Sequence, residues 1–148
     1  TEIAPQVGIR ESRRIQGVYA LTGDDILNCA SFKDSIGCSA WPMEMHAQGK
    51  IEWQFPKTPA GRNARLYNDL PWRMLVPQTV SNLLVAGRCA SMTHEGQSAA
   101  RVSGGCFVMG QAAGTAAAYS SDSSIFQNQD IAMLQQRLIQ DSCYLELE

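Results

Sequence analysis

The feature that most constrains this chain is a glycine-rich stretch, GGCFVMGQAAGTAAAYS, at residues 104–120. Its alanines predict a helix, yet Gly105, Gly110 and Gly114 lie within it, and a glycine in a helix costs about 1 kcal/mol relative to alanine. Gly110 and Gly114 are four residues apart and therefore share one helix face. A face without side chains admits either another backbone or a flat ligand, so tight packing and a ligand site both remain open.

Two common glycine motifs are excluded. Gly105 and Gly110 have the spacing of a phosphate-binding loop, but Gln111 and Ala112 stand where that loop requires Lys and Ser or Thr. Without the lysine charge, little remains to hold a triphosphate. The G-x-G-x-x-G turn that binds dinucleotides is absent from the whole sequence.

The amino-terminal half of the chain has strand patterns. Partial alternation predicts a strand within residues 11–21, followed by a turn or a short helix that Thr22 and Asp24 can cap. Two further strands are predicted within residues 35–46 and 49–56, which carry β-branched and aromatic residues bounded by Gly or Pro.

The carboxyl-terminal half has helix patterns. Residues 57–65 predict an exposed loop, and residues 66–81 a connector that contains prolines. The apolar run NLLVAG, residues 82–87, is typical of a strand buried on both faces. The glycine-rich helix then begins between residues 101 and 106 and ends before Ser120, and a last helix capped by Asp130 covers residues 131–139.

Composition limits the classes of function. The chain is 45% hydrophobic and 18% charged with a net charge of -2, which indicates a globular protein without a surface for nucleic acid. No apolar run approaches the ~18 residues of a membrane span. Five cysteines without a C-x-x-C pair indicate reduced thiols and a cytoplasmic location. Two histidines and no ligand cluster at metal spacing predict no metal site.

The order of three segments carries a resemblance. The run NLLVAGR, the loop CASMTHEGQSAARVS and the helix GGCFVMGQAAGTAAA are similar to the carboxyl-terminal FAD signature of flavoprotein oxidoreductases with a glutathione-reductase-like FAD fold. More narrowly, the chain resembles the FAD-dependent oxidoreductases that carry NLLVAGRCxSxTH and MGQAAGTAAA. ESRRIQGVYALTGDD, WPMEMH and LPWRMLVP follow the same pattern upstream, so the resemblance covers about residues 10–119.

The resemblance implies an α/β fold, the carboxyl-terminal portion of a two-domain flavoprotein. Residues 1–75 would be a β-rich part of the substrate domain. Residues 76–148 would supply the last strand, the flavin-facing helix and the terminal helix of the FAD domain. The half of such proteins that carries G-x-G-x-x-G does not occur in this sequence. The chain also opens at Thr1 without a methionine, so we expect a piece of a longer protein.

The resemblance also implies a cofactor site for FAD. Gly87 and Arg88 would lie by the ribityl or pyrophosphate, although a salt bridge is an equal alternative for Arg88. The backbone N–H groups of Gly105, Cys106 and Phe107, at the start of the glycine-rich helix, would stabilise negative charge on the reduced flavin. Gly114 would serve close packing of that helix on the FAD domain, as would Gly110. The cofactor-binding candidates are Gly87, Arg88, Gly105, Cys106, Phe107 and Gly110.

Three residues are candidates for substrate chemistry. His94 would lie near the flavin and take a proton from a substrate hydroxyl while a hydride leaves, or it would only hydrogen-bond its own loop. His46, in the implied substrate domain, is the second catalytic candidate. Arg101 would anchor an anionic group of a small-molecule substrate, or it would form capping contacts or an ion pair.

Three functional hypotheses follow from the absent dinucleotide turn. The chain is a piece of a flavin-dependent oxidoreductase, inactive without the amino-terminal half. Alternatively, it is a subunit whose FAD site is completed by a second chain, or a non-enzymatic remnant that folds as a homo-oligomer. Apolar faces left uncovered would favour oligomerisation in the last two cases.

Overall fold

The computed structural model describes residues 9–56, 66–120 and 125–145. These parts of the chain contain helices and two small sheets, in agreement with an α/β fold. The loop predicted at residues 57–65 lies outside the described residues. In chain order the elements are α1 (Gly23–Leu27), β1 (Ser35–Ser39), β2 (Met43–Ala47), β3 (Lys50–Gln54), β4 (Asn68–Pro71), α2 (His94–Ala100), α3 (Ser103–Ala118) and α4 (Ile131–Gln140), with short 3₁₀ turns at Trp72–Met74, Gly87–Cys89 and Phe126–Asn128.

Both sheets are antiparallel pairs. β2 and β3 form a hairpin in which Met43 pairs with Gln54 and Ala47 with Lys50. Its two-residue connection has positive φ at Gln48 and Gly49, 49° and 76°, as a tight turn that matches the twist of the strands requires. β1 pairs with β4. The strand predicted within residues 49–56 is confirmed as β3, whereas the segment 35–46, predicted as one strand, contains β1 and most of β2, which belong to different sheets.

Two predicted strands are wrong. Residues 11–21 form only isolated bridges, Gly17 with Pro77 and Leu21 with Met92, because their hydrogen bonds go to several different segments rather than to one strand. Residues 82–87 form no strand either. Val85 donates one backbone hydrogen bond to Leu75, but no strand of the described residues lies alongside to continue a ladder.

The helix predictions vary in accuracy. α3 and α4 lie where they were predicted, and the Asp130 side chain caps α4 by accepting from the Met133 N–H. α1 has a capping box between Thr22 and Asp25. α2 and β4 were not predicted, since their residues had been assigned to a loop and a connector.

No helix within the described ranges is long and apolar enough to cross a bilayer.

One hydrophobic core joins the elements. Leu21, Ile36 and Leu70 from the first half of the chain belong to the same buried cluster as Met109 and Leu138 from the second half. α3 lies across β1 and against α4 at the centre of this cluster. The predicted domain division between residues 75 and 76 stays a prediction. The hydrophobic core contains residues from both sides of this division.

Candidate functional site

α2 is held in place by its amino-terminal end. The Thr93 hydroxyl caps it by accepting a hydrogen bond from the Gly96 N–H at 3.1 Å. The Thr93 N–H in turn donates to the carbonyl of Leu21 at 2.9 Å. A Cβ at Gly96 would lie 2.2 Å from that same carbonyl oxygen. The missing side chain therefore lets α2 lie directly against the backbone of Leu21, which fixes the position of His94 at its first turn.

One face of α2 is polar. His94, Gln97, Ser98 and Arg101 are spaced at i, i+3, i+4 and i+7, which places them on one side of the helix. Together with the end of β2 and residues 10–11, this face encloses a cavity of about 200 Å³. The lining residues are Arg10, Glu11, Glu44, Met45, His46, His94, Gln97, Ser98 and Arg101.

The cavity brings together the three residues predicted for substrate chemistry. His46 comes from β2, whereas His94 and Arg101 come from opposite ends of α2. Seven residues of helix place His94 and Arg101 about 10 Å apart along its axis. Arg101 is half-buried, and its guanidinium forms no ion pair with any described residue.

His94 is bound to a carboxylate. Its Nδ1 lies 2.5 Å from Oε2 of Glu11, and Glu11 also forms an ion pair with Arg14. Partial burial raises the pKa of Glu11, but the hydrogen bonds from Arg14 and His94, together with the charge of His94 when it is protonated and that of Arg14, outweigh it, so the pKa is lowered overall. Glu11 is therefore ionised at neutral pH and accepts the hydrogen bond from the imidazole.

His46 is bound in the same way through its other nitrogen. Its Nε2 lies 3.2 Å from Oε1 of Glu44, and Nη2 of Arg10 lies 3.2 Å from the same oxygen. Desolvation raises the pKa of Glu44, but the hydrogen bonds and charges of Arg10 and His46 lower it below its usual value overall. Each histidine of the cavity thus belongs to a chain of arginine, glutamate and imidazole.

Gln97 connects the cavity to the 3₁₀ turn at Gly87–Cys89. Its side chain is only 1% exposed, and its Nε2 donates to the carbonyl of Arg88 at 3.0 Å. The guanidinium of Arg88 donates to the carbonyl of Ile9. Arg88 forms no ion pair with a described residue, so the salt-bridge alternative is not seen there, and its contact with the cofactor stays a prediction.

The turn at Gly87–Cys89 lies against the start of α3. Gly87 has a φ of +77°, a left-handed conformation that glycine adopts without strain. Its Cβ position is 3.7 Å from Sγ of Cys106. The Cys106 thiol donates to the carbonyl of Arg101 at 3.3 Å, and burial raises its pKa, so the thiol stays protonated.

The first turn of α3 offers free backbone N–H groups, and Gly105 is one of the residues expected to present such a group to a flavin. The Cys106 N–H donates to the carbonyl of Val102 at 3.0 Å, and the Phe107 N–H has its acceptor one residue later in the helix. The Cys106 N–H is thus engaged within the helix, while the cofactor role of Cys106 and Phe107 stays a prediction. The N–H groups without an intrahelical acceptor belong to residues 103–105, and Val102 gives them no side-chain cap.

The glycines of α3 have different surroundings. A Cβ at Gly105 would lie 2.4 Å from the carbonyl oxygen of Ala100, so Gly105 is required for packing against the end of α2. At Gly110 and Gly114 a Cβ would meet nothing within 4 Å. Their predicted packing role is therefore not fulfilled by the described residues. Phe107, on the same side of α3, is 75% exposed.

Sequence reasoning missed the residues that orient the site. Glu44 carried a signal, because it lies two residues from His46 on a predicted strand and so shares its face. The i, i+3, i+4, i+7 spacing after Thr93 would likewise have indicated Gln97 and Ser98. Glu11 carried none, since it lies 83 residues from His94 in the sequence.

Within the ranges that the structure describes, no group of three or more His, Cys, Asp or Glu side chains is placed to hold a metal ion.

Comparison with known families gives the assignment. A family model described as FAD dependent oxidoreductase matches residues 1–138. The chain belongs to this family. The resemblance drawn from the sequence is thereby confirmed, and FAD is the cofactor on which the family depends. Neither the curated proteins nor the solved structures that were searched gave a match.

The residues of this FAD dependent oxidoreductase fit the flavin end of the cofactor. α3 is a helix of 16 residues whose first turn carries no acidic side chain, so the positive end of its dipole is not neutralised locally. Gly104 and Gly110 leave open space where a side chain would stand. A planar ring with negative charge along one edge suits this arrangement.

Proposed function

We propose that this chain forms the substrate-binding and flavin-facing part of an oxidoreductase that transfers a hydride between a small organic molecule and FAD. The observation that carries the proposal is the single cavity shared by His46, His94 and Arg101. α3 begins two residues after Arg101, so this cavity adjoins the helix end that fits a flavin.

The chain's own groups have distinct roles in this proposal. Bound FAD would supply the hydride acceptor. His94 takes the proton of a substrate hydroxyl at Nε2, the nitrogen that Glu11 leaves available. Arg101 binds an anionic group of the substrate. His46, which lines the same cavity from β2, is a second proton acceptor.

The cofactor contacts are assigned to α3 and the turn before it. The N–H groups of Ser103, Gly104 and Gly105 stabilise charge at the pyrimidine edge of the flavin. Phe107 and Gly110 lie on the exposed side of the same helix. Cys106 stabilises the first turn of the helix through the hydrogen bond from its thiol to the Arg101 carbonyl. Gly87 keeps its turn close to this helix, and Arg88 reaches a phosphate by exchanging the Ile9 carbonyl for it.

The first test is the visible absorption spectrum of the purified chain, recorded with and without added FAD, together with its mass in solution. A retained flavin spectrum would show a complete site, formed by an oligomer or with a partner chain. If the chain is colourless and its spectrum does not change when FAD is added, the next step is to mix it with an amino-terminal half that carries the dinucleotide-binding turn and to repeat the measurement. If FAD still fails to bind to that assembly, the proposed cofactor role is wrong, and the non-enzymatic alternative is favoured.

The second test concerns the chemistry in the flavin-loaded protein. We expect His94→Gln to slow flavin reduction by about 10²–10⁴-fold, the usual contribution of a positioned base. Glu95→Gln removes a neighbouring charge without touching the cavity lining and serves as the matched control. Equal rates for the two variants would refute the role of His94 as the base.

A further inference from the structure

The two histidines of the cavity are held through opposite ring nitrogens. Glu11 lies on Nδ1 of His94, and Glu44 lies on Nε2 of His46. A neutral imidazole has one N–H donor and one acceptor nitrogen, and an ionised carboxylate can only accept. The nitrogen that faces the carboxylate must therefore carry the proton.

The arginines keep both carboxylates in this accepting form. Glu11 forms an ion pair with Arg14, and Glu44 forms one with Arg10. An arginine stays protonated at any accessible pH, so each carboxylate has a permanent positive neighbour as well as its imidazole. Glu95 and Arg101 are the other charged side chains on α2 near the two rings.

We propose that Glu11 and Glu44 are positioning residues that fix His94 and His46 in opposite tautomers. His94 carries its proton on Nδ1 and has its lone pair on Nε2. His46 carries its proton on Nε2 and has its lone pair on Nδ1. Each ring thus keeps one proton-accepting nitrogen: Nε2 of His94, which lies on α2, and Nδ1 of His46, which lies on β2.

This inference deepens the proposed function and rests on it for its catalytic meaning, because it specifies which atom of each base takes a proton. The tautomers themselves require neither FAD nor substrate. Their measurement in the isolated chain therefore separates a failure of this inference from a failure of the proposed function.

The test is a nitrogen–proton correlation spectrum of the imidazole rings in the full chain, recorded at a pH where both are neutral. The chain has two histidines, so His46→Gln is sufficient to assign the signals. We expect His94 to have Nδ1 protonated and His46 to have Nε2 protonated. The same tautomer in both rings of the unaltered chain would overturn the proposal without the use of any glutamate variant.

The variants test the cause. Glu11→Gln should reduce the ratio of the Nδ1–H to the Nε2–H form of His94 by about tenfold or more, as expected for the loss of a charged hydrogen bond. It should leave His46 unchanged. Glu44→Gln should have the converse effect, and the second histidine reports in each case that the fold is intact.

Glu95→Gln is the matched control. It removes a negative charge from the residue next to His94, but Glu95 makes no hydrogen bond to either ring. We expect it to change neither tautomer ratio. An effect on His94 as large as that of Glu11→Gln would mean that general electrostatics determines the tautomer, and Glu11 would lose its positioning role.

Discussion

Gly105 and Gly110 occur in the same helix but differ in what surrounds them. Gly105 is buried, and a Cβ there would lie 2.4 Å from the backbone oxygen of Ala100, which cannot move aside without displacing the end of α2. Gly110 is exposed, with nothing within 4 Å of a Cβ. Of these two glycines of α3, the described residues explain the cost of a helical glycine at Gly105 alone.

Alanine at these two positions should have opposite effects. We expect Gly105→Ala to lower the free energy of unfolding by about 1–3 kcal/mol through overpacking. Gly110→Ala should raise it by about 0.5–1 kcal/mol, because alanine is the better helix former and finds free space. Urea denaturation of the isolated chain measures both. A loss of stability in Gly110→Ala would show that this face is already covered in solution.

Tyr19 gives the chain a dependence on high pH. Its hydroxyl donates to Oδ2 of Asp25 at 2.8 Å. Desolvation, followed by the hydrogen bond and charge of Asp25, raises the pKa of Tyr19 to about 12 from the ordinary 10.0. The nearby Arg73 opposes this shift only in part.

The sign of the effect follows from proton binding. Between pH 10 and 12 the unfolded chain has released the Tyr19 proton while the native chain retains it, so stability falls as pH rises. Below pH 10 this contribution is fully present. We expect urea midpoints to decline over this range more steeply in the parent chain than in Tyr19→Phe. Parallel declines would indicate that Tyr19 titrates normally.

The predictability of individual site residues depended on sequence distance. His46, His94 and Arg101 were found because short motifs carry them, and the structure places them around one cavity. Glu11 meets His94 only because the segment before α1 returns to lie beside α2, and no local pattern reports such a contact. Which N–H groups of α3 lack an intrahelical acceptor could be predicted only to within a turn, because no capping side chain marks the start of this helix.

α2 shows why a short helix escapes sequence reasoning. Helices of fewer than about 12 residues are marginal in water, and this one has only seven, with Gly96 among them. It is stabilised by its cap and by direct contact with the backbone of Leu21. By contrast, α3 and α4 were predicted correctly because their length and their capping or small-residue patterns are local properties of the sequence.

The wrong strands have a related cause. Residues 82–87 have the apolar run of a buried strand, but a strand exists only where another lies beside it, and the described residues provide none. β4 has the opposite character, since its four residues carry little strand pattern, and pairing with β1 defines it. Which strands pair with each other is decided by the tertiary structure and cannot be read from the local pattern of one sequence.

The cap of α2 offers a test at this level. We expect Thr93→Ala to lower the free energy of unfolding by about 1 kcal/mol, since the Gly96 N–H loses its acceptor. Thr93→Ser keeps the hydroxyl and should retain most of the stability. Urea denaturation of both variants gives the comparison, and equal losses would mean that the threonine methyl, rather than the hydrogen bond, stabilises this turn.

The whole molecule is organised around one core that crosses the predicted boundary at residues 75 and 76. Trp72, before the boundary, packs edge-on against Phe126, after it, with ring centroids 6.5 Å apart, and donates to its carbonyl. The resemblance divided the chain by the domains of larger flavoproteins. Burial in this chain does not follow that division, because apolar side chains from both segments close one cluster.

Shortening a buried side chain near the carboxyl-terminal end should therefore lower the stability of the entire chain. Leu138 on α4 is 0% exposed and belongs to the cluster that contains Leu21 and Ile36. We expect Leu138→Ala to lower the free energy of unfolding by about 2–5 kcal/mol through the cavity that it leaves. Far-ultraviolet circular dichroism and tryptophan fluorescence, whose sources Trp41, Trp53 and Trp72 all lie before the boundary, should report a single shared transition.

The neighbouring residue provides the control. Ile139 is 59% exposed on the same helix, so Ile139→Ala should change the free energy of unfolding by no more than about 0.5 kcal/mol. If Leu138→Ala moved the circular dichroism transition and left the tryptophan fluorescence transition unchanged, α4 would unfold apart from the strands of the first half. The boundary inferred from the resemblance would then be a true boundary of stability, despite the core that crosses it.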